Sequence, residues 1–226
     1  AQGEIRFWDI VAQTALPLVL NFRGHSIEGL DWSIHEQLAV WVENQIFVYT
    51  LPYQQLTLQQ ATAPQSIATA TMRPGNIGVL RWSPDGSLLV AGASNGEVVC
   101  WSHGRQALTW QIEEQGQKVN SISWSRDGAL LAIAFRDNRV VGWNMRTKRR
   151  AFSWEKLPAM PRTLSISPSY HVAIASAEQR LLLGFPNEAF PSAMLPGQLL
   201  AAWSPTRSEL ATLDEQKENM LMLWRV

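Results

Sequence analysis

Large aromatic residues recur in this chain at a fixed register, and that recurrence restricts the fold more than any other feature. The segment Ile77-Gly78-Val79-Leu80-Arg81-Trp82-Ser83-Pro84-Asp85-Gly86 repeats as Val119-Asn120-Ser121-Ile122-Ser123-Trp124-Ser125-Arg126-Asp127-Gly128. The same frame recovers Ile27 to Ser33 around Trp32, Pro161 to Pro168 around Ile166, and Gln198 to Pro205 around Trp203. The five anchors stand at 32, 82, 124, 166 and 203, spaced by 50, 42, 42 and 37 residues. A second aromatic column follows each anchor at Tyr49, Trp101, Trp143, Phe185 and Trp224, with Trp8 as a sixth member at the N-terminus. A unit of about 40 to 45 residues is one supersecondary element, which buries its apolar surface only by stacking on its neighbours.

The segments between the columns read as strands. Leu88-Leu89-Val90-Ala91 and Leu130-Leu131-Ala132-Ile133-Ala134 are short apolar runs that break at polar turns, Asn95-Gly96 and Asp137-Asn138. In Ser83-Pro84-Asp85-Gly86 the proline presets φ, the aspartate bonds back to the backbone and the glycine takes positive φ, which makes a tight turn between the first two strands. Each unit then supplies strands a, b, c and a more variable outer strand d, expected at 16–22, 54–59, 105–111, 149–154 and 189–194. No helical periodicity competes, so almost no helix is expected. The 11 Trp residues fit a regular architecture in which each has an assigned slot.

The fold class expected is therefore all-β, a β-propeller of four-stranded antiparallel blades, because radial stacking buries both faces of each sheet. Five blades are recognisable, with an N-terminal partial blade: 1–22 (partial, or ring-closing strands), 23–60, 72–111, 117–154, 159–194 and an incomplete 197–226, all in one domain. The sequence resembles the WD-repeat family. Trp8-Asp9 is the dipeptide that names it, Gly24-His25 matches its Gly-His signal before strand a, and Ser83-Pro84-Asp85-Gly86 is similar to its strand a to b turn. The repeats are degenerate, since the position six before each closing aromatic is acidic only at Glu43, Asp137 and Glu218. The family's His, Ser/Thr, Asp and Trp tetrad is accordingly expected to be incomplete. Five a, five b, six c and five d segments leave one c strand surplus in a five-bladed ring. The alternative is a fragment of a larger ring, completed by an upstream segment or by another chain.

Composition narrows the function classes. Lys plus Arg (19) equal Asp plus Glu (19), so no bulk field draws the chain to nucleic acid or to an anionic membrane. The apolar runs fall short of the roughly 18 residues that span a bilayer. The N-terminus does not read as a signal peptide, and the single Cys100 makes no internal disulfide, so a reducing, cytoplasmic setting is the default. Gly92-Ala93-Ser94-Asn95-Gly96 matches a hydrolase elbow in letters, but falls at the b to c hairpin with no helix after it. His25, His35, His103 and His171 are dispersed one per region without metal-site spacing. Cys100 reads as a buried thiol. The basic run Met145-Arg146-Thr147-Lys148-Arg149-Arg150 falls between strands c and d and reads as a solvated hairpin, and Ala61 to Thr71 reads as a lengthened connection. The anchors Trp32, Trp82, Trp124 and Trp203 read as core wedges. No catalytic, cofactor-binding or metal-binding residue is assigned, and no cofactor is expected.

The resemblance implies partner docking on the face formed by the d to a and b to c connections. Mapped by register, that face carries Glu28, Asn76, Lys118, Asn120, Arg136, Met160, Arg162, Glu178 and Lys217 as partner-binding residues. Lys118, Arg136, Arg162 and Lys217 make it locally basic, which suits an acidic peptide or protein segment. The function expected is a non-catalytic protein–protein interaction platform, a scaffold or a sensor module in signalling. Two alternatives stand beside it: a propeller enzyme such as a metal-dependent hydrolase or lactonase, and a self-assembling propeller piece that pairs through unmatched strands as a homo-oligomer.

Overall fold

In a computed structural model of the chain, residues 3–43, 45–53, 56, 65–67, 77–102, 108–112, 114, 117–178, 180–196, 198–214 and 220–225 are described. Among them the elements are all strands, apart from a helical turn in which Leu56 N–H donates to Pro52 O (3.4 Å). Strands β1 (Glu4–Asp9) and β2 (Thr14–Asn21) form a two-stranded sheet. Next come β3 (Ile27–Trp32), β4 (Gln37–Val42), β5 (Gln45–Thr50) and β6 (Gln65–Ile67), then β7 (Ile77–Trp82), β8 (Leu88–Ala93), β9 (Val98–Ser102) and β10 (Leu108–Ile112). After these come β11 (Val119–Trp124), β12 (Leu130–Phe135), β13 (Arg139–Asn144) and β14 (Arg149–Trp154), then β15 (Pro161–Ile166), β16 (Val172–Ser176), β17 (Arg180–Gly184) and β18 (Ala193–Pro196). Each of these four groups is a four-stranded sheet in sequential order, while β19 (Gln198–Trp203), β20 (Glu209–Asp214) and β21 (Met220–Arg225) form a three-stranded one. This is the all-β, four-stranded meander repeat that the register implies, with its c and d strands first and its a, b and c strands last.

Outer strands are where the expectation slips. The fourth strand of the second sheet is β6, inside the segment read as a lengthened connection, so that sheet extends past residue 60. Most of the expected 54–59 strand lies outside the described residues. The last outer strand forms at Ala193–Pro196, a few residues later than expected. Outer strands bury little apolar surface, so their sequence carries a weak pattern.

The chain divides into two compact units, residues 1–91 with 99–112, and residues 92–98 with 113–226. In the first, Leu38, Val40 and Val42 of β4 pack with Phe7, Leu18 and Leu20, while Ala39 and Trp41 on the other face pack with Leu80, Trp82 and Leu89. In the second, Ala132, Ala134, Phe152 and Trp154 pack against Leu164, Val172 and Ile174. The other face of β16 turns Ala173 to Trp203 and Leu210. The b strands β4, β12 and β16 are buried along their whole length, which is why they read as continuous apolar runs instead of alternating ones.

Three devices fix the register. The a to b turns close as their sequence implies. Ser83 Oγ and Ser125 Oγ each donate to the aspartate two residues on (2.5 and 2.7 Å) and accept Leu88 N–H and Leu130 N–H (2.9 and 2.8 Å), with Gly86 and Gly128 at φ 66° and 68°. Side chains one or three residues before an anchor stitch neighbouring a strands within each unit. Asp31 accepts Trp82 N–H (2.6 Å), Ser121 accepts Leu164 N–H (3.0 Å) and Ser165 accepts Trp203 N–H (2.8 Å). Burial raises the Asp31 carboxyl above the usual range, against the lowering by the Trp82 N–H and by Arg81. The third device is a pair of side-chain contacts matching part of the tetrad that the resemblance implies: His25 Nδ1 meets Glu43 at 2.7 Å, and Trp224 Nε1 donates to Thr212 (2.9 Å).

The wedges differ in burial. Trp82 and Trp203 are buried and Trp124 is half-buried, but Trp32 is 41% exposed, with its ring 5.8 Å from that of Phe7. The sheet beside it has only two strands, too few to cover the indole.

Candidate docking surface

The register places the candidate residues at the strand ends where β11 and β15 begin and β12 and β16 finish. Lys118 immediately precedes β11, and its carbonyl accepts the N–H of Arg136, the first residue after β12 (2.9 Å). Met160 holds the same place before β15, accepting Ala177 N–H (2.9 Å), with Glu178 next in the chain. Asn120 donates through its amide to Pro161 O (2.9 Å), tying the start of β11 to the start of β15. The structure thus gathers Lys118, Asn120, Arg136, Met160, Arg162 and Glu178 at one end of two neighbouring sheets. Glu28 occupies the equivalent register on β3 in the other unit and is exposed. Asn76 and Lys217 lie outside the described residues.

A feature missed in the sequence underlies the placement of Glu28, Asn120 and Arg162. The pairing of the first two strands slips by one residue between Ile27 and Gly29, Val119 and Ser121, Pro161 and Thr163, and Gln198 and Leu200. Glu28, Asn120, Arg162 and Leu199 are therefore the extra residues of four β-bulges at one register. A bulge re-aims the side chain it carries, and three of these four are polar or charged.

Among the described residues no carboxylate lies within ion-pair distance of Lys118, Arg136 or Arg162, all three of them exposed. Glu178 is engaged with Arg180 at 3.7 Å. Behind them the b to c hairpin is firmly held. Arg139 donates to Asp137 (3.0 Å), lies 3.6 Å from Glu114 and stacks over Phe135 at 4.9 Å, while Asn138 exchanges bonds with Leu157 (2.9 and 3.1 Å). Glu114 also went unnoticed in the sequence, where it is one acidic residue in a connection. Its side chain is 1% exposed and accepts from Arg150 at 2.8 and 2.9 Å and from Trp143 Nε1 at 3.2 Å. Part of the basic run read as a solvated hairpin is thus anchored, because Arg150 neutralises a buried carboxylate.

The Gly92–Gly96 segment is a hairpin turn, with Gly96 N–H on Ala93 O (3.1 Å), Gly96 at φ 86° and β9 following directly. Ser94 has no helix behind it. Cys100 is buried in β9, and His103 lies outside the described residues. Among the described residues no three His, Cys, Asp or Glu side chains come together as metal ligands, and no helix is long and apolar enough to cross a membrane.

Comparison with known proteins agrees with this geometry. Residues 68–102 match the WD domain, G-beta repeat family, and residues 103–160 match the anaphase-promoting complex subunit 4 WD40 domain. No curated protein matches the sequence. Among solved structures, the chain is similar to one from a mitotic checkpoint complex crystal structure, with TM-score 0.73 and 18% identity over 88% of this chain. It spans 62% of that protein's length. It is also similar to the β-propeller domain of Myceliophteria thermophila Cps50 (Swd1), with TM-score 0.81 and 14% identity, covering all of this chain and 78% of the other. The turn chemistry and strand order agree with these matches: residues 68–160 match WD-repeat models, and the chain has an all-β fold of four-stranded antiparallel sheets similar to that of β-propellers.

Proposed function

We propose that the chain is a non-catalytic protein-interaction platform, a scaffold or sensor module, that holds an acidic peptide or protein segment at the strand ends around Lys118, Arg136 and Arg162. The observation that carries this reading is the set of exposed cations that have no carboxylate partner among the described residues, Arg162 on the bulge of β15 and Arg136 beside the firmly held β12 to β13 hairpin. Preset positive charge on a rigid rim speeds encounter with an acidic partner and disfavours basic ones, and arginine there is suited to bidentate pairing with carboxylates. The similarity to a mitotic checkpoint complex chain supports a role among protein partners. The test is Arg136→Glu with Arg162→Glu, capture from lysate, and identification of the captured proteins. Loss of an acidic partner by at least tenfold is expected, and unchanged capture overturns the placement.

A second reading, self-association, rests on β21. Among the described residues β20 is the one strand paired with it, and Met220, Leu221 and Leu223 are 55 to 75% exposed along it. Such an edge invites strand pairing. The mass of the purified chain in solution decides it, since a monomer at high concentration removes this reading.

A further inference from the structure

A cavity of about 370 Å³ opens at the other end of the same two sheets, lined by Ala129, Leu130, Asn144, Tyr170, Phe185, Pro186 and Asn187. Leu130 begins β12 and Asn144 ends β13, so this cavity faces away from the Lys118 and Arg136 end. Its walls are mostly apolar. Tyr170 and Phe185 are each 37% exposed, and Phe185 is backed by the His171 ring at 4.0 Å between centroids, so it cannot fold away into the core.

The walls are also preorganised. The Tyr170 hydroxyl donates to Asp127 at 2.5 Å, fixing the ring against the neighbouring sheet. Phe185 N–H donates to Glu188 at 2.8 Å, which sets the turn that carries Phe185 to Asn187. Asn144 accepts Arg146 N–H and Thr147 N–H, both at 3.0 Å, and so holds the basic turn at the mouth. Both acidic side chains nearby are thus used internally. Asp127 accepts from Tyr170, Ser125 and Ala129, and Glu188 caps the Phe185 turn. Exposed cations outnumber them: Arg146, whose side chain is 75% exposed and 3.8 Å from Asp127, with Lys148 on the same turn, Arg149 at the start of β14 and Arg126 on the adjacent turn.

We propose that this cavity is a second docking site, taking a linear acidic segment whose one or two apolar anchor residues enter between Tyr170 and Phe185 while its carboxylates pair with Arg146 and Arg149. A cavity of this size holds one or two large apolar side chains, and an aromatic-lined pocket ringed by charge is the arrangement in which a few residues carry most of the binding energy. The partner class follows from charge complementarity at the mouth. The site does not depend on the rim at the other end, so each can fail separately.

The test uses the full chain and a fluorescein-labelled decapeptide of Glu and Asp around a central Leu-Phe pair, read by fluorescence anisotropy. Two control peptides replace Leu-Phe by Ala-Ala, or Glu and Asp by Gln and Asn. Binding of the first is expected to be at least tenfold tighter than that of either control and to weaken with salt. Ala129→Trp keeps the backbone bonds at that position and fills the cavity, and Arg146→Glu with Arg149→Glu reverses the mouth at exposed positions that leave the core intact. Each is expected to weaken binding at least tenfold, whereas Arg136→Glu with Arg162→Glu leaves it unchanged. No binding, equal binding of either control, or loss only with the Arg136 and Arg162 pair overturns the proposal. The last outcome moves the peptide to the rim and leaves the proposed function standing.

Discussion

The sheets β11–β14 and β15–β18 are built on one plan, yet they reach the same fold with different side chains. In the first, the a to b turn is Ser125-Arg126-Asp127-Gly128, with glycine in the left-handed position. In the second it is Ser167-Pro168-Ser169-Tyr170, with Tyr170 at φ 66° in that place. The serine does the same work in both, accepting Leu130 N–H (2.8 Å) or His171 N–H (2.9 Å). The closing aromatics diverge too: the Trp143 indole donates to buried Glu114, while the Phe185 ring has no N–H to donate and packs tilted against His171. Backbone geometry and one serine are enough to set the register. Two aromatic side chains of the second sheet are left part-exposed, Tyr170 tied by its hydroxyl to Asp127 of the first sheet and Phe185 backed by His171, and together they wall the cavity.

The comparison breaks most sharply at Glu114, for which the second sheet shows no counterpart among the described residues. Glu114→Ala leaves the Arg150 guanidinium and the Trp143 indole without their acceptor and removes a carboxylate from beside Arg139. Removing one partner of a buried pair typically costs about 3 to 5 kcal/mol. Arg150 is half exposed and recovers water, so the expected loss is about 3 kcal/mol, read as a shift of the urea midpoint at unchanged slope. A loss below about 1 kcal/mol would mean that the first sheet holds its register by the turn alone, as the second does.

A smaller effect separates the glycines that precede the closing aromatics. A Cβ on Gly142 would lie 2.0 Å from the Phe152 ring, which is itself packed on Trp154 at 4.4 Å, whereas on Gly184 the nearest atoms are Pro191 Cα at 2.8 Å and the Trp154 ring at 3.1 Å. Overpacking costs about 1 to 3 kcal/mol. Measured by chemical denaturation, Gly142→Ala is expected at the top of that range and Gly184→Ala nearer its middle, at about 2 kcal/mol, because the Pro191 backbone must shift by less than the Phe152 ring. Equal costs would show that the Phe152 ring moves aside freely.

These contrasts also mark what the sequence could convey. Anchors, closing aromatics and Ser-x-Asp-Gly turns report backbone geometry directly, so the strand order and three of the five outer strands were legible. The bulges at Asn120 and Arg162 went unread although each leaves a trace, since the apolar or ring positions fall at 119, 122 and 124 and at 161, 164 and 166, a step of three before the step of two that strict alternation requires. Lys118 and Arg136 were placed together by register alone, since they flank a paired strand end. Glu114 gave no signal, being one acidic residue whose three basic or indole neighbours stand 25 to 36 positions away. The cavity was illegible for a related reason: its walls come from two repeats, and each wall residue looks like an ordinary strand-end or turn residue in its own.

The smallest effect concerns His171, the residue that backs Phe185 where Trp143 would have had an acceptor. Its ring lies 4.0 Å from Phe185 and 5.6 Å from Trp203 between centroids, and Nδ1 is 3.2 Å from Ser167 Oγ. Burial lowers its pKa below the usual 6.5, and the nearby Glu188 only partly offsets that. The folded state therefore favours the neutral ring, while the unfolded chain takes up a proton near 6.5. Stability from this site is full above about 6.5 and declines as the pH falls below it. Asp127 does not confuse the window. Burial raises its carboxyl, the bonds from Tyr170, Ser125 and Ala129 outweigh that and lower it, and its contribution is lost only in more acidic solution. The urea midpoint is expected to fall modestly between pH 8 and pH 5. In His171→Phe, whose ring can still stack between Phe185 and Trp203, that fall should be smaller. An unchanged fall would show that the aromatic stack holds Phe185 whatever the charge on its neighbour, which would make the second sheet's replacement for the Trp143–Glu114 bond purely one of packing.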